Sequence, residues 1–312
     1  MSYDVIGDVH GCGDELEALL AHLGYEVRDG GYRHPERTAI FVGDLIDRGP
    51  AQLRVLKIVK AMVDVGSARM VLGNHEFNAL AYDTEWPAGS GEYLRPHSAK
   101  NERQHAEFLR QVTGDARAEY LAWFRTQPLW LDLGEIRVVH ACWHAESMAV
   151  LGAAPVLSDE WLVRASTKGD PVYEAAETLL KGPEIGLVEH GVPAYLDKDG
   201  HTRERARLRW WNAQATTLAD VAEISSTFEL SEGVPYPPLP PIDVSQDFVY
   251  EEQVPVFYGH YWRQGEPTQH RDWTEYAACV DFSAVKGGAL VAYRWSGEAR
   301  IDPDHYAWVG RR

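Results

Sequence analysis

"VIGDVHG", residues 5–11, ends an apolar run on Asp8 and His10, two potential metal ligands set between glycines. One such ending is what a helix cap or a turn commonly produces. The chain repeats it four times: "IFVGD" (40–44), "MVLGNH" (70–75), "RVVH" (137–140) and "VFYGH" (256–260) also stop on Asp, Asn or His. Open α/β sheets gather their sites beyond the carboxyl ends of strands, where loops converge. Five endings offering only oxygen and imidazole donors read as one metal site. With no cysteine among them, the donors suit manganese, iron or zinc.

The surrounding pattern is that of alternating strands and helices. Leu16, Leu19, Leu20 and Leu23 fall at helical spacing, and Gly24 stops the run. "TAIFVGD" (38–44) reads as a second strand. A helix from Pro50 to Gly66 would carry Leu53, Leu56, Val59 and Val63 on one face. "ARMVLGNHE" (68–76) reads as a third strand, followed by a helix through Phe77 and Leu80. This alternation implies parallel strands under covering helices. Residues 83–105 are mostly polar and are expected to loop over one face. "RVVHACWH" (137–144) supplies another strand.

The middle of the chain differs. Helix is expected near 173–181, a hairpin at "YLDKDGH" (195–201), and an extended connector at "PYPPLPP" (235–241). Strands return with "VPVFYGH" (254–260), "YAACVDF" (276–282) and "ALVAYRW" (289–295), the last two forming a hairpin through Lys286-Gly287-Gly288.

Composition narrows the partners. Asp plus Glu outnumber Lys plus Arg by 47 to 30, a net charge of −17, which argues against general binding to nucleic acid or to an anionic membrane. No apolar stretch approaches the ~20 residues that span a bilayer. The start of the chain has neither a basic region nor a long apolar one. Three cysteines, far apart at 12, 142 and 279, fit a reduced protein better than a disulfide framework. The expectation is a cytoplasmic protein.

Gly7-Asp8-Val9-His10-Gly11, Gly43-Asp44-Leu45-Ile46-Asp47-Arg48-Gly49 and Gly73-Asn74-His75-Glu76 resemble the signature of calcineurin-like metallophosphoesterases. Arg48 with its glycine, and the GNHE ending, resemble the phosphoprotein-phosphatase branch, which includes bacterial serine/threonine phosphatases and symmetrical diadenosine tetraphosphatases. The resemblance implies an α/β fold of mixed sheets: a four-layer α/β/β/α sandwich forming one domain over 1–312. Parallel motif-bearing strands would come from the first ~140 residues, terminal hairpins would complete the second sheet, and residues 150–250 would be a cap-like insertion. It also implies two divalent metal ions, manganese ahead of iron or zinc. Asp8, His10 and Asp44 would hold one; Asp44, Asn74, His140 and His260 would hold the other. His75 with Asp47 would be the acid pair, Arg48 would grip phosphate, and Asn74 would donate to it.

Such a branch member acts on a phosphorylated substrate: a phosphoprotein, a small phosphate ester or a nucleotide. A phosphomonoesterase of the serine/threonine type is the first expectation. Symmetrical bis(5'-nucleosyl)-tetraphosphatase activity is the alternative, and a non-catalytic phospho-ligand binder the contrasting class. Arg203, Arg205, Arg207 and Arg209 alternate in "HTRERARLRWWN" (201–212) and would line one strand face. Arg209 is the candidate for a second substrate contact. Trp210 and Trp211 are read as core ahead of base-stacking residues. Cys142 and Trp143 depart from the branch pattern at the pocket wall, Trp262 stands where many superfamily members have a histidine, and His144 is read as structural.

Overall fold

In the computed structural model, residues 1–152, 157–197, 200–225, 227–245, 247–269 and 274–310 are described. The chain divides into two compact units, Met1–Lys181 with Gln253–Arg312, and Gly182–Glu252.

In the first unit, β1 (Ser2–Ile6), β2 (Arg37–Phe41) and β3 (Ala68–Met70) run parallel, with Val5 opposite Ile40 and Ile40 opposite Arg69. Between them lie α1 (Gly13–Leu23) and α2 (Gln52–Asp64). A second sheet contains β4 (Trp130–Asp132), β5 (Arg137–Val139), β6 (Val256–Tyr258) and β7 (Ala277–Cys279), in the order β7-β6-β5-β4. The chain then returns to the first sheet with β8 (Asp281–Phe282), β9 (Ala289–Trp295) and β10 (Tyr306–Gly310), giving β8-β9-β1-β2-β3 with β10 beside β9. One apolar cluster joins the two sheets: Val5, Ile40 and Val291 from the first meet Val138, Phe257 and Ala278 from the second. Helices α1 and α2 lie against the first sheet. This is the four-layer α/β/β/α sandwich.

The terminal hairpins therefore belong to the first sheet, and β5 to the second, the reverse of the expected allocation. The cause is local. "YAACVDF" is one apolar run but two strands, changing sheets at Val280, whose N–H donates to Tyr258 O at 2.8 Å. The crossing lies directly over Gly7, where an added Cβ would sit 2.0 Å from Val280 O.

Helix α1 matches its pattern: Leu16, Leu19, Leu20 and Leu23 are buried, and Gly24 caps it at φ 91°. In α2 the buried face is Gln52, Val55, Leu56, Val59 and Met62, so Leu53 and Val63 flank the core instead of forming it. After α3 (Asn74–Asp83), the expected loop is interrupted by α4 (Ala99–Gln111), capped by the Ser98 side chain. Within α4 only His105 and Phe108 are buried, too narrow a stripe to stand out in a polar sequence. Helices α5 (Gly114–Phe124), α6 (Ala145–Leu151), α7 (Asp159–Ser166) and α8 (Pro171–Lys181) complete the first unit. The segment expected as an insertion from residue 150 thus begins with helices of this unit.

The second unit holds a three-stranded sheet, a four-stranded sheet and a small core of Leu187, Val192, Tyr195, Ala206, Leu218 and Ala222. Tyr195–Leu196 and Thr202–Arg203 pair antiparallel, as the hairpin reading requires; Lys198 and Asp199 of its turn lie outside the described residues. The four arginines do not share a strand. Arg203 ends Thr202–Arg203, whereas Arg205–Leu208 belongs to the other sheet and Arg209 follows it.

Candidate metal centre

The ligand loops leave their strands through backbone that disfavours side chains. His10, Asp44, Asp47, Arg48, His260 and Trp262 all have φ between 44° and 71°; among the other described non-glycine residues only Asp29 and Ser283 are left-handed. Such a residue costs roughly 1–2 kcal/mol, so surrounding structure must impose it. Glu76 does much of this. Fully buried, its carboxylate accepts the N–H groups of Asp44 (2.8 Å), Leu45 (2.7 Å), Ile46 (3.3 Å) and Gly73 (3.0 Å), stitching two loops together. Burial, then the charge of Asp44, push Glu76 up to about 7, against those donors.

Asp44 is the centre of the cluster. Its Oδ2 lies 3.5 Å from His10 Nε2 and 3.9 Å from His75 Nε2, and its Oδ1 lies 3.4 Å from His140 Nε2. His10, Asp44 and His75 bring their donor atoms within 4.8 Å of one another; so do Asp44, His140 and His260. Asp44 is common to both sets. The Nδ1 atoms of His10 and His140 face carbonyl oxygens, Ile46 O at 2.8 Å and Val42 O at 2.7 Å. Each Nδ1–H donates outward, which turns each Nε2 inward, the orientation metal-binding imidazoles adopt. Asn74 Oδ1 is 3.0 Å from His140 Nε2, and the Asp8 carboxylate accepts the His260 N–H at 3.2 Å.

The electrostatics call for a cation. Burial, then Asp281, raise the Asp8 carboxyl well above the usual range, with Asp44 adding to the shift. Burial opposes ionisation of Asp44 too, but His140 and His75 hold it well below that range. His140, which burial alone would lower, is raised to about 10 by Asp44 and Asp8. Burial and His75 lower His10 to about 3, leaving it a neutral donor. Buried carboxylates facing inward-turned imidazole nitrogens fit a divalent cation of the oxygen- and nitrogen-binding kind.

Beside this cluster, His75 Nδ1 lies 2.5 Å from Asp47 Oδ2. Burial would raise Asp47, but His105, in close polar contact, and His75, hydrogen-bonded to it, hold it below its ordinary value. Arg48 places Nη1 3.2 Å from His10 Nε2 and Nη2 3.3 Å from His75 Nε2, while its guanidinium stacks 4.3 Å from the Trp262 ring centre.

The structure thus brings together Asp8, His10, Asp44, Asp47, Arg48, Asn74, His75, His140 and His260. Arg209 belongs to the second unit, where its Nε pairs with Glu223 at 2.8 Å. Trp210 and Trp211 are 0% and 3% exposed and pack edge to face, as core residues do. His144 caps α6 through Ser147, and Cys142 is buried. Sequence reasoning gave no role to Glu76 or His105. Glu76 lies inside a quoted motif; His105 has no local signal at all.

The calcineurin-like phosphoesterase family matches over residues 1–146. The asymmetrical bis(5'-nucleosyl)-tetraphosphatase PrpE of Bacillus subtilis (strain 168) is 35% identical over 144 residues, 45% of this chain and 57% of that protein. The chain spans little more than half the length of this relative. A symmetrical bis(5'-nucleosyl)-tetraphosphatase of Chromohalobacter salexigens is 30% identical over 319 residues, covering 98% of this chain and 99% of that one. The structure of a protein serine/threonine phosphatase from Saccharomyces cerevisiae matches the fold at a TM-score of 0.52 and 13% identity, over 99% of this chain and 79% of that one. A relative aligned nearly end to end gives the strand-end cluster its family context: this chain belongs to the calcineurin-like phosphoesterases.

Proposed function

We propose that this protein is a metal-dependent hydrolase of phosphoric esters, with dinucleoside polyphosphates as its substrate class. The supporting observation for the chemistry is Asp44, one carboxylate shared by the sets His10–Asp44–His75 and Asp44–His140–His260, with Arg48 beside them. Asp8, His10 and Asp44 would hold one divalent ion, and Asp44, Asn74, His140 and His260 the other, with manganese preferred over iron or zinc. When bound, two such ions lower the pKa of a water and neutralise charge on phosphorus oxygens.

The chain's own residues do the rest. Asp47 anchors His75 through Nδ1 at 2.5 Å, so Nε2 is the atom that delivers a proton to the leaving oxygen. Arg48 offers a planar fork to phosphate, and Trp262 under its guanidinium fixes that plane. Asn74 turns its oxygen toward His140, leaving its amide N–H groups for phosphate. The three buried, free cysteines suit a reducing compartment, and we place the protein in the cytoplasm.

The substrate class rests on relatives named as bis(5'-nucleosyl)-tetraphosphatases, one aligned over 98% of this chain. Trp210 and Trp211, buried and packed edge to face, lend it no support. A phosphomonoesterase of the serine/threonine type is the second reading, favoured by a site that centres one guanidinium, Arg48, beside one acid. The test compares kcat/KM of the manganese-loaded protein on diadenosine tetraphosphate, a phosphoserine peptide and p-nitrophenyl phosphate. The proposal expects the dinucleotide to lead by at least ~10-fold, about 1.4 kcal/mol of transition-state binding. A lead for the peptide selects the monoesterase. Tight binding without turnover of any of the three leaves a phospho-ligand binder.

A further inference from the structure

Asp47 touches a second imidazole that the chemistry above does not use. His105, on α4 and fully buried, places Nδ1 2.9 Å from Asp47 Oδ2, the same oxygen that meets His75 Nδ1 at 2.5 Å. The Asp47 backbone is already fixed, because its N–H donates to Gln52 Oε1 at 2.7 Å and Gln52 Nε2 donates to Gly49 O at 2.8 Å. Its carboxylate is not fixed in that way. Asp47 Oδ1 is buried without a hydrogen-bond partner, so the rotation of the carboxyl group depends on the two imidazoles at Oδ2.

His105 has no other polar employment. Neither ring nitrogen makes an aligned hydrogen bond, so Nδ1 meets Asp47 Oδ2 as a close polar contact, and the ring packs edge-on to Tyr82 with centroids 5.4 Å apart. A phenylalanine would fill this space with no polar atom to desolvate, so an imidazole here is favoured only by what it does for Asp47. We propose that His105 is a positioning residue for the proton donor: it holds the Asp47 carboxylate in the rotation that aims His75 Nε2 at the leaving oxygen. The inference rests on the hydrolase reading and on His75 as its acid.

The experiment uses His105→Asn, His105→Gln and His105→Phe in the manganese-loaded protein. The asparagine amide nitrogen falls near the position of Nδ1; the glutamine amide reaches past it. Each variant is assayed on phenyl phosphate, a poor leaving group, and on p-nitrophenyl phosphate, a good one, with His75→Ala in parallel. A positioned acid contributes ~10²–10⁴-fold, so His105→Gln and His105→Phe should lose ~10-fold or more of kcat on phenyl phosphate and much less on p-nitrophenyl phosphate. His105→Asn should recover most of that loss. Equal losses on both substrates, or no advantage of Asn over Gln, overturn the inference. Should His105→Phe fail to fold, the Asn and Gln pair still decides. Failure of the underlying reading looks different: His75→Ala itself would then show no dependence on the leaving group.

Discussion

His140 carries a positive charge in a place where burial alone would remove it, because Asp44 and Asp8 raise it to about 10. Its folded-state value lies above the ordinary 6.5, so it stabilises the metal-free fold fully below that pH and loses this contribution as pH rises through about 10. A metal ligand must be the neutral imidazole. Near pH 8 the proton therefore occupies the position a cation takes. Metal uptake should release about one proton from His140, and apparent affinity should rise by up to ~10-fold per pH unit below its pKa. Titration calorimetry in two buffers of different protonation heat measures this directly. Heats that do not change with the buffer would show that His140 enters the reaction already neutral.

Two loops form the centre of the site, and they touch backbone to backbone. A Cβ at Gly43, where φ is 96°, would lie 2.4 Å from Gly73 N. Gly43→Ala should separate the Asp44 and Asn74 loops, break the Glu76 stitch, and lower metal affinity and melting temperature together. Orphaned buried N–H groups alone cost ~1–3 kcal/mol each. A variant with native metal content and unchanged melting temperature would refute this account. The sequence made this part of the molecule legible because ligand, glycine and apolar run occur together within a few residues. Legibility failed where the decisive contact is remote. Nothing near His105 announces Asp47, and α4 hides behind a polar face with two buried residues. "YAACVDF" reads as one strand because an apolar run does not record which sheet each half joins. The Arg203 to Arg209 alternation likewise breaks at Glu204, between two sheets.

At the scale of the molecule, the first sheet is closed by a polar tie between its early and late strands. Arg37 donates to Asp4 Oδ1 at 2.9 Å, to Tyr3 O at 2.6 Å, and to Trp295 O at 2.8 Å. Asp4 is 0% exposed and also accepts from Tyr25 and Arg294. Arg37→Ala should destabilise the protein by about 3–5 kcal/mol, since removing one partner leaves a buried charge poorly compensated. Equilibrium denaturation would reveal this as a shifted midpoint with an unchanged slope; a loss under 1 kcal/mol would mean that Arg294 and Tyr25 suffice.

The His260 N–H meets the Asp8 carboxylate across 252 positions of sequence. Translation at ~5–20 residues per second separates the two by roughly 13–50 s. During that interval the nascent chain carries Asp8, His10, Asp44, Asn74 and His75 with their last partner still unmade. On the two-ion reading, a cation captured then would be held by an incomplete set of donors and would exchange. The choice of metal would then fall after translation has passed the last loop, to whichever exchangeable pool the folded protein meets.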